Sequence, residues 1–382
     1  MYTNTPWTGV FVVLLLQACS TSNDIPEMRQ TLTAPVAYFN SLHNLDDPNN
    51  ENALGLNNLA QKNPTNKLNP RFSNFDNSRL LATETNYFNN EIDSITVYDY
   101  NANQLTRVTW YSAPGPDGLW QTADDVVGSY HDHASPEPGV LYTLYRGPGA
   151  DQTWFTTDDE ILYYHKLFSD ANGAVIGIAT YTLAGDDGIW FTDDDFIGWI
   201  NTETTTGNET RRAMYLGAGP DNDWRTLSDN SVYRFSISML NILGQTERYS
   251  FYLDAGADTR PFTGDDIPIY YRNYQYDSQD RIKDVTVYGG AGVDNTWFTA
   301  DDLVRSCKQQ LRDTNDLPYR TLSTLPGTDL SCFTSDDITW GYHDDTFNAD
   351  NLVSDAKSYF LPGIDKTWFT PDDVLIYART YK

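Results

Sequence analysis

Nothing limits the possible folds of this chain more than an acidic motif that recurs about every 35 residues from residue 86 onward. Two clear copies are Gly149-Ala150-Asp151-Gln152-Thr153-Trp154-Phe155-Thr156-Thr157-Asp158-Asp159 and Gly292-Val293-Asp294-Asn295-Thr296-Trp297-Phe298-Thr299-Ala300-Asp301-Asp302. The Trp position falls at Trp120, Trp154, Trp190, Trp224, Pro261, Trp297, Cys332 and Trp368, with spacings of 34, 36, 34, 37, 36, 35 and 36. A period of this size marks a repeat architecture, in which each unit buries its apolar surface only against its neighbours. In all eight copies Gly stands five residues before the Trp position, Asp three before it and Thr two after it. An Asp pair closes each copy, with Ser228-Asp229 the one departure.

Between the acidic loops lie segments that read as strands around a tight turn. Ile161 to Phe168 and Ala174 to Tyr181 are rich in aromatic and β-branched residues and are separated by Asp170-Ala171-Asn172-Gly173, a hairpin signature. No stretch sustains an apolar spacing of 3.6, so the predicted class is all-β with minimal helix. Eight tandem two-stranded hairpin repeats give about sixteen strands. Open sheets rarely exceed about ten strands, so the sheet must close, spiral or split. A coiled antiparallel shell or barrel is predicted, with an eight-bladed β-propeller as the rival; propeller blades need four strands, and such repeats usually run to about 40 residues or more.

The turns carry a resemblance. Tyr276-Asp277 followed by Arg281-Ile282, and Tyr100-Asn101 followed by Gln104-Leu105, resemble the YD repeat of bacterial RHS-type wall and toxin-shell proteins. That family has Gly before the Arg, where this chain has Asp280, and the long Trp-Asp loops are foreign to its simple pattern. The resemblance spans the hairpins of residues 86–382 and implies an antiparallel β-shell without implying an activity.

The loops concentrate charge. The chain holds 53 acidic and 25 basic side chains, a formal net charge of −28. Such a balance repels phosphate backbones, which argues against nucleic-acid binding. Calcium is one role for the loops, because it accepts six to eight oxygens in tolerant geometry. The candidate ligands are Asp117, Asp124 and Asp125; Asp151, Asp158 and Asp159; Asp187, Asp194 and Asp195; and Asp258, Asp265 and Asp266. They continue with Asp294, Asp301 and Asp302; Asp329, Asp336 and Asp337; and Asp365, Asp372 and Asp373. The spacing is not that of an EF-hand. The other role is turn chemistry, in which Asp and Thr side chains bind backbone amides and set loop geometry. The Trp and Phe of each loop are expected to plug into the core, the alternative being exposure as stacking platforms for sugars.

Two cysteines stand out within the repeat. Cys332 takes a Trp position, and Cys307 takes a position held elsewhere by Tyr130, Tyr164, Ile200, Arg234, Tyr271 and Tyr342. A Tyr–Trp contact replaced by a Cys307–Cys332 disulfide is the simplest explanation, and an exported location permits it.

The amino-terminal residues read as an address. Gly9 to Leu16 is apolar but too short to span a bilayer as a helix, which needs about 20 residues. It suits the h-region of a secretory signal. Leu16-Gln17-Ala18-Cys19 resembles the lipobox of bacterial lipoproteins, which implies that Cys19 is lipidated and that residues 1–19 are removed as a signal peptide. Ser20, rather than Asp, follows the Cys, so the resemblance implies the outer membrane or cell surface. Residues 20–85 hold thirteen Asn together with Pro26, Pro35, Pro48, Pro64 and Pro70, and read as a solvated tether ahead of the β-repeat domain at 86–382.

No G-x-S-x-G, HExxH or Gly-rich phosphate motif occurs. The only His cluster, His131-Asp132-His133, stands where the second unit should turn. Eight equivalent carboxylate pairs point to structure rather than catalysis. The sequence thus predicts a lipid-anchored, exported structural or binding repeat protein, with an unidentified protein or glycan ligand; a carbohydrate-binding module or a polysaccharide-acting hydrolase is the alternative.

Overall fold

A computed structural model describes residues 81–88, 91–102, 104–133, 137–170 and 172–381. Cys19, the expected signal peptide and the expected tether up to residue 80 lie outside these residues. Every regular element described is a strand. The first six are β1 (Leu81–Phe88), β2 (Glu91–Asn101), β3 (Gln104–Ala113), β4 (Val126–Asp132), β5 (Val140–Gly147) and β6 (Glu160–Ser169). Next come β7 (Val175–Leu183), β8 (Phe196–Thr206), β9 (Glu209–Gly217), β10 (Ser231–Leu240), β11 (Thr246–Tyr252) and β12 (Tyr270–Tyr276). The last are β13 (Ile282–Tyr288), β14 (Val304–Leu311), β15 (Arg320–Leu325), β16 (Ile338–Phe347), β17 (Val353–Leu361) and β18 (Val374–Tyr381).

Each strand pairs antiparallel with its sequence neighbours, and β1 also pairs with β18, which closes an 18-stranded barrel. Closure leaves no open sheet edge. The propeller alternative is thereby excluded, since one continuous ring replaces separate blades. The expected sixteen strands become eighteen for a definite reason. Strands β2 to β17 form eight hairpins, and a ninth pair is assembled from the two ends of the described chain, β18 running beside β1. Strand β1 draws residues 81–85 into the barrel, ahead of the expected boundary at residue 86.

The acidic loops join β3 to β4, β5 to β6 and so on to β17 and β18, so all eight lie on one rim. Short turns occupy the other rim, where β1 begins and β18 ends. Five of these turns share one construction. Asp170, Asn241, Asp277, Asp313 and Asn348 each accept from the backbone N–H groups two and four residues ahead. The residue three ahead is left-handed: Gly173 at φ 82°, Gly244 at 79°, Asp280 at 63°, Asp316 at 69° and Asn351 at 61°. Asp280 therefore adopts the conformation that favours Gly, at a cost of roughly 1 kcal/mol. His131 and Asp132 are not in a turn, as the sequence had suggested; they end β4.

The core is a column that crosses every hairpin. Register partners in it are Ile95 and Tyr111, Tyr130 and Tyr145, Tyr164 and Tyr181, Ile200 and Tyr215, Phe235 and Tyr252, Tyr271 and Tyr288, Cys307 and Thr324, and Tyr342 and Tyr359. The first member of each pair is at most 5% exposed. Five pairs stack their rings, with centroids 4.5–4.6 Å apart. Such cross-strand aromatic pairs add roughly 0.5–1.5 kcal/mol each beyond the area they bury.

Candidate functional site

The loop between β5 and β6 shows how the acidic rim is built. Asp151 opens it by accepting from Thr153 N–H at 2.7 Å, an Asx turn. Asp158 reaches back across the loop and accepts through Oδ2 from the N–H groups of Ala150 and Asp151, at 2.8 and 3.0 Å. Its Oδ1 accepts from the Thr156 hydroxyl at 2.8 Å. Asp159 turns inward and is buried. Its Oδ2 accepts from Phe155 N–H at 2.7 Å and from the Tyr130 hydroxyl, also at 2.7 Å. The three Asp of the loop therefore have three tasks: one starts the turn, one clamps it, and one pins it to the barrel wall.

Each pinning bond crosses about thirty residues. Tyr164 donates to Asp195 at 2.7 Å, Tyr271 to Asp302 at 2.6 Å and Tyr342 to Asp373 at 2.7 Å. Burial, and then the bond to the carboxylate, push all four tyrosine hydroxyls far above their ordinary pKa. The clamping Asp residues move the other way. Asp124, Asp158, Asp194, Asp265, Asp301 and Asp372 lie below the usual carboxylate range, chiefly because a Thr hydroxyl and then backbone N–H groups stabilise the anion. Asp336 falls to about 2, with Thr328 and Thr334 both donating.

The Gly at the head of each loop is required by this clamp. At Gly149, Gly185 and Gly292, each with φ between 60° and 63°, a Cβ would collide with the carbonyl and carboxyl group of the clamping Asp. Two residues before the Trp position every loop turns left-handed, with φ from 55° to 71°, whether the residue is Gly118, Gln152, Gly188, Asn222, Thr259, Asn295, Leu330 or Lys366.

The fourth loop corrects the sequence alignment. Gly219 meets Asp229, not Ser228, and Asn230 is the buried member, donating through Nδ2 to Trp224 O at 2.9 Å. The pair is thus Asp229-Asn230, shifted by one inserted residue. The same shift moves the column position from Arg234 to Phe235, which stacks on Tyr252.

The loop aromatics are anchors. Trp154, Trp190, Trp297 and Trp368 meet the column tyrosines on the first strand of the preceding hairpin edge-on, with centroids 5.9–6.2 Å apart. At the seventh loop the same two positions are Cys332 and Cys307, with Cα atoms 5.7 Å apart and the sulfurs at bonding distance. The loop Phe residues are held at positive φ, as at Phe155 with 70° and Phe369 with 72°. Arginines from the neighbouring hairpin cover them: Arg107 lies 4.4 Å from the Phe155 ring, Arg248 4.2 Å from Phe298 and Arg320 4.2 Å from Phe369. Sequence inspection missed these arginines because each stands about fifty positions ahead of its Phe, one unit back.

Among the described residues, no group of three or more His, Cys, Asp or Glu side chains is placed to hold a metal ion. His131, His133 and His165 gather around Tyr142, with ring centroids 4.4–5.1 Å away, and burial pushes His133 down to about 4 and the other two to about 3. They are neutral rings packed in a wall.

Fold and site together define a closed antiparallel β-barrel of hairpins with one stapled acidic rim. No family model and no curated protein matches the chain. Among solved structures it is similar to a porin-like protein from Bacteroides uniformis, at 10% identity and TM-score 0.26, covering 78% of this chain and 95% of that one. A Bacteroides fragilis protein of unknown function aligns at 10% identity and TM-score 0.25, over 37% of this chain and 91% of that one. A TcdB2-TccC3-Cdc42 structure aligns at 10% identity and TM-score 0.24, over 76% of this chain but only 15% of that one.

Proposed function

We propose that this protein is a lipid-anchored, exported structural scaffold, a rigid barrel that stands clear of the bilayer and presents its acidic rim to a partner. The observation that carries this reading is the use of the loop carboxylates: clamping and pinning Asp residues spend their lone pairs within the loop and on the wall behind it. A hydrolase needs one distinct carboxylate pair in a cleft, and here seven of the eight loops repeat the same Asp pair on one rim. Glycan stacking through the loop Trp loses support as well, since those rings pack on tyrosines.

Calcium would have to displace hydrogen bonds that the loops already make, so we assign the Asp triads to staples rather than ion cages. The Cys307–Cys332 disulfide belongs to the same proposal as a covalent version of the Tyr–Trp anchor. The left-handed Asp280 beside Arg281, which grips Asp277, supports the YD-type resemblance at its turn. Strand β14 supports a barrel outside the lipid. Beyond the bulge at its start, its alternating sets are Ser306, Lys308 and Gln310 on one face, and Cys307, Gln309 and Leu311 on the other. Neither is the apolar band that a membrane-spanning strand needs.

The anchor is tested by metabolic labelling with a tagged fatty acid. The native chain should take up label and sediment with membranes, and Cys19→Ser should lose both. Membrane association without label would refute lipidation.

A further inference from the structure

We propose that the sector of the rim formed by the loops between β13 and β18 is a docking surface for a protein partner that presents Lys or Arg side chains around an aliphatic centre. This goes beyond the scaffold reading and does not depend on the anchor.

Three consecutive loops carry large aliphatic side chains at their tips. Val293 is 95% exposed, Ile364 94% and Leu330 66%. They cannot fold away, because the backbone beneath them is fixed. Val293 and Ile364 donate their N–H groups to the clamping Asp301 and Asp372, each at 2.7 Å. Beside the tips, Leu325 and Ile338 are register partners on β15 and β16, both exposed, and Leu361 adds to them from β17. Elsewhere on the ring the second loop has Ala150 in place of Val293, and the first and third loops carry one exposed aliphatic tip each, Leu119 and Ile189, on either side of it. Desolvating such rigid side chains orders little that is not already ordered, which favours binding.

Charge selects the occupant. Each apolar tip adjoins an exposed carboxylate, at Asp294, Asp329 and Asp365. The three loops together hold nine Asp and one basic residue, Lys366. A second copy of this rim would bring like charges together, and anionic lipid headgroups would be repelled in the same way. Strand β1 begins at the opposite rim. A cationic, aliphatic protein face satisfies both features.

The test uses the full-length protein and a fluorescent amphipathic helical peptide of Leu and Lys, followed by anisotropy. Binding is expected to weaken at least tenfold in Val293→Ser/Leu330→Ser/Ile364→Ser and in Asp329→Asn/Asp365→Asn. Each variant should keep the native melting temperature, since the three aliphatic side chains are exposed and Asn retains the Oδ1 acceptor by which Asp329 and Asp365 open their loops. A matching Leu/Glu peptide and oligolysine should bind at least tenfold more weakly than the Leu/Lys peptide. Equal binding by the folded triple variant, or by oligolysine, would overturn the proposal by reducing it to bulk charge. Preferential binding of phosphatidylglycerol vesicles over the peptide would overturn it in favour of a membrane.

Discussion

Replacing Tyr164 by Phe isolates the bond that ties an acidic loop to the barrel. The ring keeps its stack on Tyr181, 4.6 Å away, so packing is preserved and only the hydroxyl is lost. That hydroxyl donates to Asp195 at 2.7 Å, and the carboxylate is buried. Hydrogen bonds to charged groups contribute about 1.5–3 kcal/mol. Asp195 keeps Phe191 N–H at 2.7 Å and the Thr192 hydroxyl at 3.3 Å, which puts the expected loss toward the lower end, about 2 kcal/mol. In a barrel of this size that is a fall in melting temperature of roughly 4 °C. The fifth unit supplies the reverse experiment. Phe235 occupies the tyrosine position, burial raises the pKa of the facing Asp266, and its Oδ1 is buried without a hydrogen-bond partner. Phe235→Tyr should therefore stabilise the protein. Urea unfolding of Tyr164→Phe, Asp195→Asn and the double variant gives the coupling energy directly. A coupling below about 0.5 kcal/mol, within the usual error of additivity for independent sites, would refute the pinning role.

Further outcomes follow from the same geometry. Gly185→Ala and Gly188→Ala both place Ala at a left-handed position, with φ of 60° and 67°, but only Gly185 faces Asp194, whose Oδ2 would lie 2.5 Å from the new Cβ. Gly188→Ala should cost about 1 kcal/mol and Gly185→Ala clearly more, measured by chemical denaturation. The clamping Asp residues have lowered pKa values when folded, so their stabilisation is complete above the unfolded value near 4 and is lost as pH falls through the depressed values toward about 2, that of Asp336. At the alkaline end the four pinned tyrosines, raised when folded, stabilise the barrel fully below pH ~10, and that contribution declines above it; the share of tyrosinate absorbance that comes from these four, read as the difference from their Phe variants, should rise only with unfolding. Stripping divalent ions with chelator should leave the melting temperature unchanged, and a fall would restore the calcium reading. Reduction, or Cys307→Ser with Cys332→Ser, should cost about 3 kcal/mol for a loop closed over a separation of 25 residues, measured by denaturation beside thiol mass labelling.

Much of the architecture was legible because the repeat exposes it. Alternating aromatic and β-branched runs around turns such as Asn172-Gly173 or Gln279-Asp280 pointed to strands, and too many strands for an open sheet meant that it had to close, spiral or split. The loop Gly and Thr were visible as invariant letters, but their purposes were not. Gly149 matters through Asp158, nine residues on, and Thr156 through two carboxylates at once. Where spacing slipped by one residue, as at Asp229-Asn230, counting from Trp224 chose the wrong pair, because position in the chain gave way to position in the clamp. The Arg107–Phe155 contact was invisible for a different reason: it joins adjacent units, and nothing local to either residue calls for the other. The ninth strand pair was missed because its halves stand almost three hundred residues apart.

That divided pair decides when the molecule becomes whole. A ribosome or a translocation channel delivers β1 first among the described strands and β18 last, so the ring stays an unsealed ribbon until β18 emerges. Its seam, where Glu84 meets Arg379 across the strands and accepts from the Tyr98 hydroxyl, acts as a clasp fastened once. Joining the two ends and cutting the chain at any short turn should yield a barrel of the same shape with its clasp moved elsewhere, whereas losing either end strand alone leaves two raw edges and a chain with reason to seek a neighbour's strand.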